Sequence, residues 1–423
     1  METNGVQWKE ISGGISAPVG FYASGVKAGV KYREKYDLAL IFSATKANAA
    51  GMFTRNVVKA HPLLLTQKHL QNGQAQAVII NSGNANACMG ERGERDAWQM
   101  AETTALELGI NLQDVLVAST GVIGQPMPME KIVPGIKSAA AAVKSLQQQC
   151  SSSINNQRNC QIKALSAHQA ALAIMTTDTK EKEASFELEC EGGTIKLGIM
   201  AKGSGMIHPN MGTMLCFITT DAQVESSRLK TLLQEATDES FNMVSVDGDT
   251  STNDMVLMLA NGLSGVKPEG KDWHVFSQMV KEACRSMAKA IARDGEGASK
   301  FLEVKVTGAK DICSARMIAR SVCSSNLVKT AIYGQDANWG RIVAAAGYSG
   351  ASFDPERVDV FLNGLQVASQ GRGLQFSEDE ALLRLTSKDI LIEIKLGDGR
   401  GEAVAWGCDL THRYIDINAD YRT

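Results

Sequence analysis

The 423-residue sequence has few of the features that mark several large classes of protein. Aromatic residues make up only 5%, and no basic block or basic-aromatic stripe occurs, which argues against a nucleic-acid partner. No apolar run approaches the roughly 18 residues of a membrane span, and the N-terminus METNGVQWKEISGG lacks the basic and apolar regions of a secretory signal. We therefore expect a soluble, cytoplasmic protein without a membrane partner. An organelle is the alternative if a transit peptide preceded this N-terminus.

Metal, disulfide and nucleotide-binding motifs are also missing. The nine cysteines are scattered, odd in number and never spaced as C-x-x-C, and the six histidines have no metal-ligand spacing. GxGxxG and GxxxxGK[ST] do not occur. The acidic stretch DGDTSTND, residues 247–254, lacks EF-hand spacing, so we interpret its carboxylates as capping groups of turns or helices. We expect no metal site and no disulfide framework.

The composition, 44% hydrophobic and 21% charged, is typical of a globular chain large enough for two or three domains or one two-part unit. Hydrophobic periodicity predicts helices and strands in irregular alternation. Predicted helices cover 92–108, 129–148, 164–175, 226–242, 272–292 and 312–324; predicted strands cover 38–43, 77–81, 114–119, 255–259 and 302–307. Hairpins are predicted around Gly192-Gly193, at 358–368, and between 390–394 and 402–407, whereas the polar residues 150–160 predict a surface loop. This pattern favours an α+β fold, a mixed α/β layered sandwich, over a doubly wound sheet.

The stretch KGSGMIHPNMGTMLCFITTDA, residues 202–222, changes abruptly at Gly212-Thr213 from permissive, turn-forming residues to an apolar run. A threonine hydroxyl in a strained turn can attack the carbonyl that precedes it, and Gly212 adds no side-chain bulk there. Hydrolysis of the resulting ester would leave Thr213 as a new N-terminus. Its amine, with a pKa of about 7.7–8.0, could then serve as the base for its own hydroxyl. The alternative is a glycine-rich loop that enters a core strand.

Acyl transfer also needs a group that stabilises an oxyanion. The sequence STGVIG, residues 119–124, offers the Thr120 hydroxyl and the Gly121 backbone N–H at the end of a predicted strand. By itself, this pattern fits an ordinary turn equally well.

Several segments together resemble the ornithine acetyltransferase family, the bifunctional glutamate N-acetyltransferases of arginine biosynthesis. In chain order they are NSGNANACMG, ASTGVIG, MTTDT, KGSGMIHPNMGTML, SVDGDTSTNDM, ARDGEGASK, YGQDANWGRI and INADYRT. The resemblance covers almost the whole chain and implies a layered fold shared with N-terminal-nucleophile aminopeptidases. Family members usually have alanine before the threonine, whereas this chain has Gly212.

The resemblance implies self-cleavage between Gly212 and Thr213 into an alpha chain, 1–212, and a beta chain, 213–423, which associate as two such pairs, alpha2beta2. Thr213 would take the acetyl group from N2-acetyl-L-ornithine and pass it to the α-amine of L-glutamate in a ping-pong reaction. No cofactor is implied for that exchange. Whether acetyl-CoA also serves as a co-substrate stays open.

The same resemblance implies the site residues. Thr120 and Gly121 would form the oxyanion hole, and substrate would be bound by Thr176, Lys202, Thr213, Glu296, Asn418 and Thr423. Charge supports this, because Lys202 can pair with a substrate carboxylate and Glu296 with the ornithine ammonium. Taken singly, Lys202 also fits a surface lysine and Glu296 a helix-end acid. Two other functions stay open: an N-terminal-threonine amidohydrolase or aminopeptidase, and a binding or regulatory protein that never cleaves.

Overall fold

A computed structural model describes residues 8–30, 34–152, 156–208 and 214–419. The chain forms two compact units. Unit 1 comprises Met1–Gly203, Asn210–Glu239 and Thr250–Met287, and unit 2 comprises Ser204–Pro209, Ser240–Asp249 and Ala288–Thr423. Each unit takes residues from both sides of Gly212-Thr213, so the units are not the predicted alpha and beta chains. That chain boundary stays a prediction.

The described residues form strands and helices in irregular alternation. The strands are β1 Trp8–Glu10, β2 Phe21–Val26, β3 Leu38–Phe53, β4 Gln74–Asn84, β5 Val115–Val122, β6 Lys182–Cys190, β7 Gly193–Lys202, β8 Leu215–Thr220, β9 Val244–Ser245, β10 Met255–Ala260, β11 Phe301–Ala309, β12 Asp359–Leu362, β13 Leu365–Ser369, β14 Arg372–Gly373, β15 Asp389–Lys395 and β16 Gly401–Cys408. The helices are α1 His61–His69, α2 Gly90–Leu108, α3 Met129–Ser152, α4 Asn156–Ala173, α5 Ser226–Asp238, α6 Gly270–Arg293, α7 Ile312–Ser324, α8 Asn326–Tyr333, α9 Trp339–Gly347, α10 Glu378–Leu385 and α11 His412–Ala419. The predicted α+β class is confirmed.

Unit 1 is built on one mixed sheet in the order β1-β6-β7-β8-β10-β3-β4-β5, with β2 also paired to β3. Successive side chains of a strand point to opposite faces, and β3 shows this clearly. Leu38 and Leu40 pack in a core with residues of α2 and α3, whereas Ala39 and Ile41 pack in a second core with residues of α4. The sheet of unit 1 is therefore covered by helices on both faces, which fits the burial of every residue of the central strands β8 and β10.

Unit 2 is built on a second sheet in the order β14-β13-β12-β15-β11-β16-β9. The predicted hairpin of 390–394 with 402–407 is wrong, because β11 lies between β15 and β16, parallel to the first and antiparallel to the second. The connecting residues pass across the end of β11, where Leu396 N–H donates to Thr307 O at 3.0 Å and Asp398 N–H to Gly308 O at 2.7 Å. A short connection thus joins two strands that are not neighbours.

The hairpin around Gly192-Gly193 is confirmed, since β6 and β7 pair antiparallel through Cys190↔Gly193. The predicted loop at 150–160 is wrong where the structure describes it, because α3 continues to Ser152 and α4 begins at Asn156. The Ser151 hydroxyl donates to Gln147 O at 2.9 Å, one turn earlier, so the helix itself satisfies this polar group. Across the described ranges, no helix is both long enough and apolar enough to span a membrane.

Candidate active site

Lys202, the last residue of β7, is the centre of a polar cluster in unit 1. Its ammonium is buried and donates a 2.7 Å hydrogen bond to Thr176 Oγ1 and a 3.5 Å hydrogen bond to Thr120 Oγ1. Thr120 lies near the end of β5, and Thr176 follows α4. The structure therefore brings together three of the residues expected at the site, and the reading of Lys202 as a surface lysine is wrong.

The carboxylate of Asp178 lies beneath this lysine and is fully buried. It accepts from Lys182 Nζ at 2.8 Å and from the Gly203 N–H at 2.7 Å, and Lys202 Nζ is 3.8 Å away. The Thr176 N–H donates to its other oxygen at 3.1 Å. Burial alone would raise the pKa of Asp178, but the two lysines and these hydrogen bonds lower it to about 2.

Asp178 thus remains ionised. It links two segments of the site, because it accepts hydrogen bonds from the backbone N–H groups of Thr176 and of Gly203, the residue after Lys202. Sequence reasoning did not assign it a role, although it lies in the segment MTTDT beside Thr176. An acid within an otherwise uncharged stretch that follows a buried helix was the available signal. Lys182 was also missed, because only the pairing of β6 with β7 places it at the same end of the hairpin as Lys202.

The end of β5 is fixed by close packing against β4. Gly121 has φ +137°, a conformation that favours glycine, and a Cβ there would overlap the backbone of Gly83 and Asn84. The parallel pairing of β4 and β5 continues to this point, with Gly83 opposite Gly121. Only glycine therefore fits at position 121.

A second support for the end of β5 comes from the loop before β10. The buried side-chain amide of Asn253 donates to Ser119 O at 2.8 Å and to Ala85 O at 2.7 Å, and Ser119 Oγ donates to Asn81 Oδ1 at 2.6 Å. Asn253 thus holds the residue that directly precedes Thr120. Sequence reasoning missed this contact because it joins residues 134 positions apart.

Glu296 is the centre of a separate cluster in unit 2. Its carboxylate is buried and accepts from Asn418 Nδ2 at 2.8 Å. A Cβ at Gly205 would overlap this carboxylate, so the glycine provides the space that the acid occupies. The structure thus brings Glu296 and Asn418 together.

Asp247, in the acidic stretch, lies in the same unit. It accepts from the N–H groups of Met206 at 2.5 Å, Ile207 at 2.8 Å and Asp249 at 3.2 Å, and Tyr414 Oη donates to it at 3.3 Å. Burial raises the pKa of Asp247, although its backbone hydrogen bonds oppose that shift. Burial and the nearby Asp247 also raise the pKa of the Tyr414 phenol. The predicted capping role is confirmed for Asp247 by the bond from the Asp249 N–H, although most of the bonds to Asp247 come from a distant part of the chain.

The remaining predicted site residues, Gly212, Thr213 and Thr423, lie outside the described residues. In the part of the chain that the structure describes, no group of histidine, cysteine or carboxylate side chains could hold a metal ion. The cluster around Lys202 therefore offers a buried ammonium and two threonine hydroxyl groups. These groups can pair with a substrate carboxylate and stabilise developing negative charge.

Known proteins resemble this chain along almost its full length. A model of the ArgJ family matches residues 22–423. The arginine biosynthesis bifunctional protein ArgJ of Symbiobacterium thermophilum is 49% identical over 423 residues, which cover 99% of this chain and 100% of that protein. The protein of the same name from Bacillus subtilis is 46% identical over 421 residues, which cover 98% of each chain.

Two solved structures also match. The argJ protein of Bacillus halodurans is 46% identical, with a TM-score of 0.46, and the match covers 48% of this chain and 96% of that chain. An ornithine acetyltransferase of Mycobacterium tuberculosis, solved in complex with ornithine, is 36% identical, with a TM-score of 0.41, and covers 48% of this chain and 98% of that chain.

Proposed function

Because this chain belongs to the ArgJ family, we propose that it is an acetyltransferase of arginine biosynthesis that moves the acetyl group of N2-acetyl-L-ornithine to L-glutamate. The observation that carries the proposal is the family match over residues 22–423. It is supported by the buried ammonium of Lys202 beside two threonine hydroxyls. We further propose that the enzyme is cytoplasmic and that the exchange uses no metal or cofactor.

The active nucleophile forms by self-cleavage. Thr213 Oγ adds to the Gly212 carbonyl carbon, the C–N bond breaks, and the hydroxyl proton passes to the nitrogen, which becomes the Thr213 amine. Water then hydrolyses the ester, which releases a Gly212 carboxylate and restores the hydroxyl. The products are the alpha chain, 1–212, and the beta chain, 213–423.

Acetyl transfer then proceeds in two half-reactions. Thr213 Oγ attacks the acetyl carbonyl of acetylornithine while the Thr213 amine accepts the hydroxyl proton, and ornithine leaves with a proton on its α-amine. The α-amine of glutamate next attacks the acetyl ester, which yields N-acetylglutamate and free Thr213. The Thr120 hydroxyl and the Gly121 N–H stabilise the oxyanion in both steps, as donors fixed before the substrate arrives.

Substrate binding follows from charge. Both substrates carry an α-carboxylate that Lys202 can pair with, and Thr176, which accepts from Lys202, orients that ammonium. Glu296 provides a carboxylate for the ornithine ammonium, and Asn418, which donates to Glu296, orients it. Thr423 is the last of the residues that we propose to bind substrate. Two alpha-beta pairs associate as alpha2beta2, and acetyl-CoA is a candidate second acetyl donor.

Intact mass spectrometry of the denatured protein tests this function. After incubation with N-acetylornithine and no acceptor, we expect two chains that begin at Met1 and Thr213, with one acetyl group on the second. Addition of glutamate should remove that group as N-acetylglutamate. Thr213→Ala should give one uncut chain without an adduct, whereas Thr231→Ala, which changes an exposed helical threonine, should behave as the wild type.

The other outcomes point to other functions. Loss of the acetyl group as free acetate at the same rate with and without glutamate would identify an amidohydrolase. One uncut wild-type chain without an adduct would refute the nucleophile and leave a binding or regulatory protein.

A further inference from the structure

Five consecutive residues that precede the Gly212-Thr213 junction, Ser204–His208, belong to unit 2, and all of them except the glycine make hydrogen bonds there; we call them the lead-in segment. At its start, the Glu296 N–H donates to Ser204 O at 2.8 Å, and the glycine at 205 accommodates the Glu296 carboxylate. Further on, the Val246 N–H donates to Ile207 O at 2.7 Å. The backbone of the segment is therefore fixed at both ends.

The last residue of the lead-in segment, His208, is held through its ring. Nε2 lies 3.2 Å from Nη2 of Arg320, and Nδ1 lies 3.0 Å from Ser245 Oγ. Because an arginine has donors only, Nε2 accepts, which assigns the ring proton to Nδ1 and makes Ser245 the acceptor. Burial and the nearby Arg320 lower the pKa of His208 to about 4, so the ring is neutral at physiological pH.

Between these ends, the Asp247 carboxylate holds an unusual turn of the backbone. Met206 has φ +55°, a left-handed conformation that is uncommon for a residue other than glycine. With this geometry, the successive N–H groups of Met206 and Ile207 both point at Asp247, at 2.5 and 2.8 Å. Consecutive N–H groups arranged in this way form a concave site for an anion.

We propose that Asp247 is a positioning residue for self-cleavage, because it fixes the path by which the chain approaches the scissile bond. This inference rests on the proposed function. Gly212 follows Ile207 by only five residues, so a change in the direction of the chain at Met206 is carried toward the junction. Attack by Thr213 Oγ on the Gly212 carbonyl requires close alignment of the two groups, and small misplacements of reacting atoms slow such reactions strongly.

Asp247 takes no proton and forms no bond in that reaction. Its role is to accept hydrogen bonds from two N–H groups at once, which requires that both terminal atoms of the side chain are acceptors. An asparagine has one oxygen, and its NH₂ group would face an N–H group. The proposal thus gives the acidic stretch a function and explains why an acid, not merely a polar residue, stands at position 247.

The test is the rate of self-cleavage of the full chain after cell-free synthesis, followed by intact mass from the first minutes onward. We expect Asp247→Asn to cleave on the order of ten-fold more slowly than the wild type or slower still, and Asp247→Glu, which keeps the carboxylate, to recover part of the rate. Thr213→Ala gives the zero point.

Asp221→Asn is the matched control. Asp221 is also buried and also accepts two backbone N–H groups, from Val19 at 2.8 Å and Lys196 at 2.7 Å, but these lie in unit 1. Melting temperatures of all variants report any general loss of stability. Asp221→Asn should lower the melting temperature without slowing cleavage.

Equal cleavage rates of Asp247→Asn and the wild type would overturn the proposal and leave the proposed function intact. Equal slowing of Asp221→Asn and Asp247→Asn would also overturn it, because loss of stability would then explain both. A wild-type chain that is never cut would instead refute the proposed function and this inference with it.

Discussion

At the scale of single residues, the Asp178 carboxylate interacts with two buried lysines of unit 1. Lys182 and Lys202 are both buried, and without an anion each would carry a large desolvation cost. Their charges lower the pKa of Asp178 from an ordinary 3.8 to about 2. Its ionised form therefore stabilises the folded state by about 2 kcal/mol above pH 4.

We predict that Asp178→Asn lowers the free energy of unfolding at pH 7 by about 3–5 kcal/mol, the usual effect of removing one partner of a buried ion pair. Because the folded pKa of Asp178 is lower than its unfolded value, the stabilisation is complete above pH 4 and is lost as the pH falls toward 2. The difference in melting temperature between wild type and Asp178→Asn should therefore be constant at neutral pH and shrink below pH 4.

Asp221→Asn again provides the control, because its stability difference from the wild type should change with pH in the opposite direction. Burial raises the pKa of Asp221, so protonation stabilises its folded state and the wild type gains relative to this variant as the pH falls. A difference for Asp178→Asn that does not change between pH 7 and pH 3 would show that the two lysines do not hold an ionised carboxylate.

At the scale of elements, the sequence predicted those that depend on local patterns. The turn residues Gly192-Gly193 between two alternating stretches predicted the β6–β7 hairpin, which pairs as expected. The pairing of β15 and β16 was mispredicted because β11, some 80 residues earlier in the chain, lies between them. Loop length limits which strands can join but does not show which strand enters between them.

The same distinction applies to the candidate site. Motifs pointed to Thr120, Thr176 and Lys202, which the structure brings into contact. The residues that hold them were missed, since Asp178 and Asn253 act through contacts that only the folded chain creates. Short motifs identify groups that carry chemistry, whereas supporting residues are defined by tertiary placement.

The loop before β10 supports the end of β5 through Asn253, and we predict that Asn253→Ala reduces kcat of acetyl transfer on the order of 10–100-fold. The substitution leaves two buried carbonyl groups, of Ser119 and Ala85, without this donor, which costs about 1–3 kcal/mol for each group. The residue after Ser119 is Thr120, so a displaced strand end moves the proposed oxyanion hole. Steady-state kinetics with acetylornithine and glutamate measure the effect.

Asn261→Ala is the control for that prediction. The Asn261 amide also joins two parts of unit 1, because it donates to Val19 O at 2.9 Å and to Ser43 Oγ at 3.2 Å. Neither of these bonds lies at the end of β5. It should leave kcat within about two-fold of the wild type. Equal loss of kcat in both variants would mean that Asn253 acts through general stability.

At the scale of the whole molecule, cleavage at Gly212-Thr213 would not separate the sheet of unit 1 into two parts. In the strand order β7-β8-β10-β3, the middle two strands belong to 213–423 and the outer two to 1–212. Leu197–Lys202 pair with Leu215–Thr220 on one side, and Asn48–Phe53 pair with Met255–Ala260 on the other. Two strands of residues 213–423 are thus inserted between strands of residues 1–212.

We therefore predict that the two chains stay together after cleavage and separate only when unit 1 unfolds. Removal of β8 and β10 would break two ladders of backbone hydrogen bonds and expose the apolar residues of both cores, so partial dissociation is strongly unfavourable. Native mass spectrometry across a urea series should show both chains in one species until the circular dichroism signal changes. Release of the 1–212 chain at lower urea, while the ellipticity is still native, would contradict the prediction, because the inserted strands could then leave without unfolding the sheet.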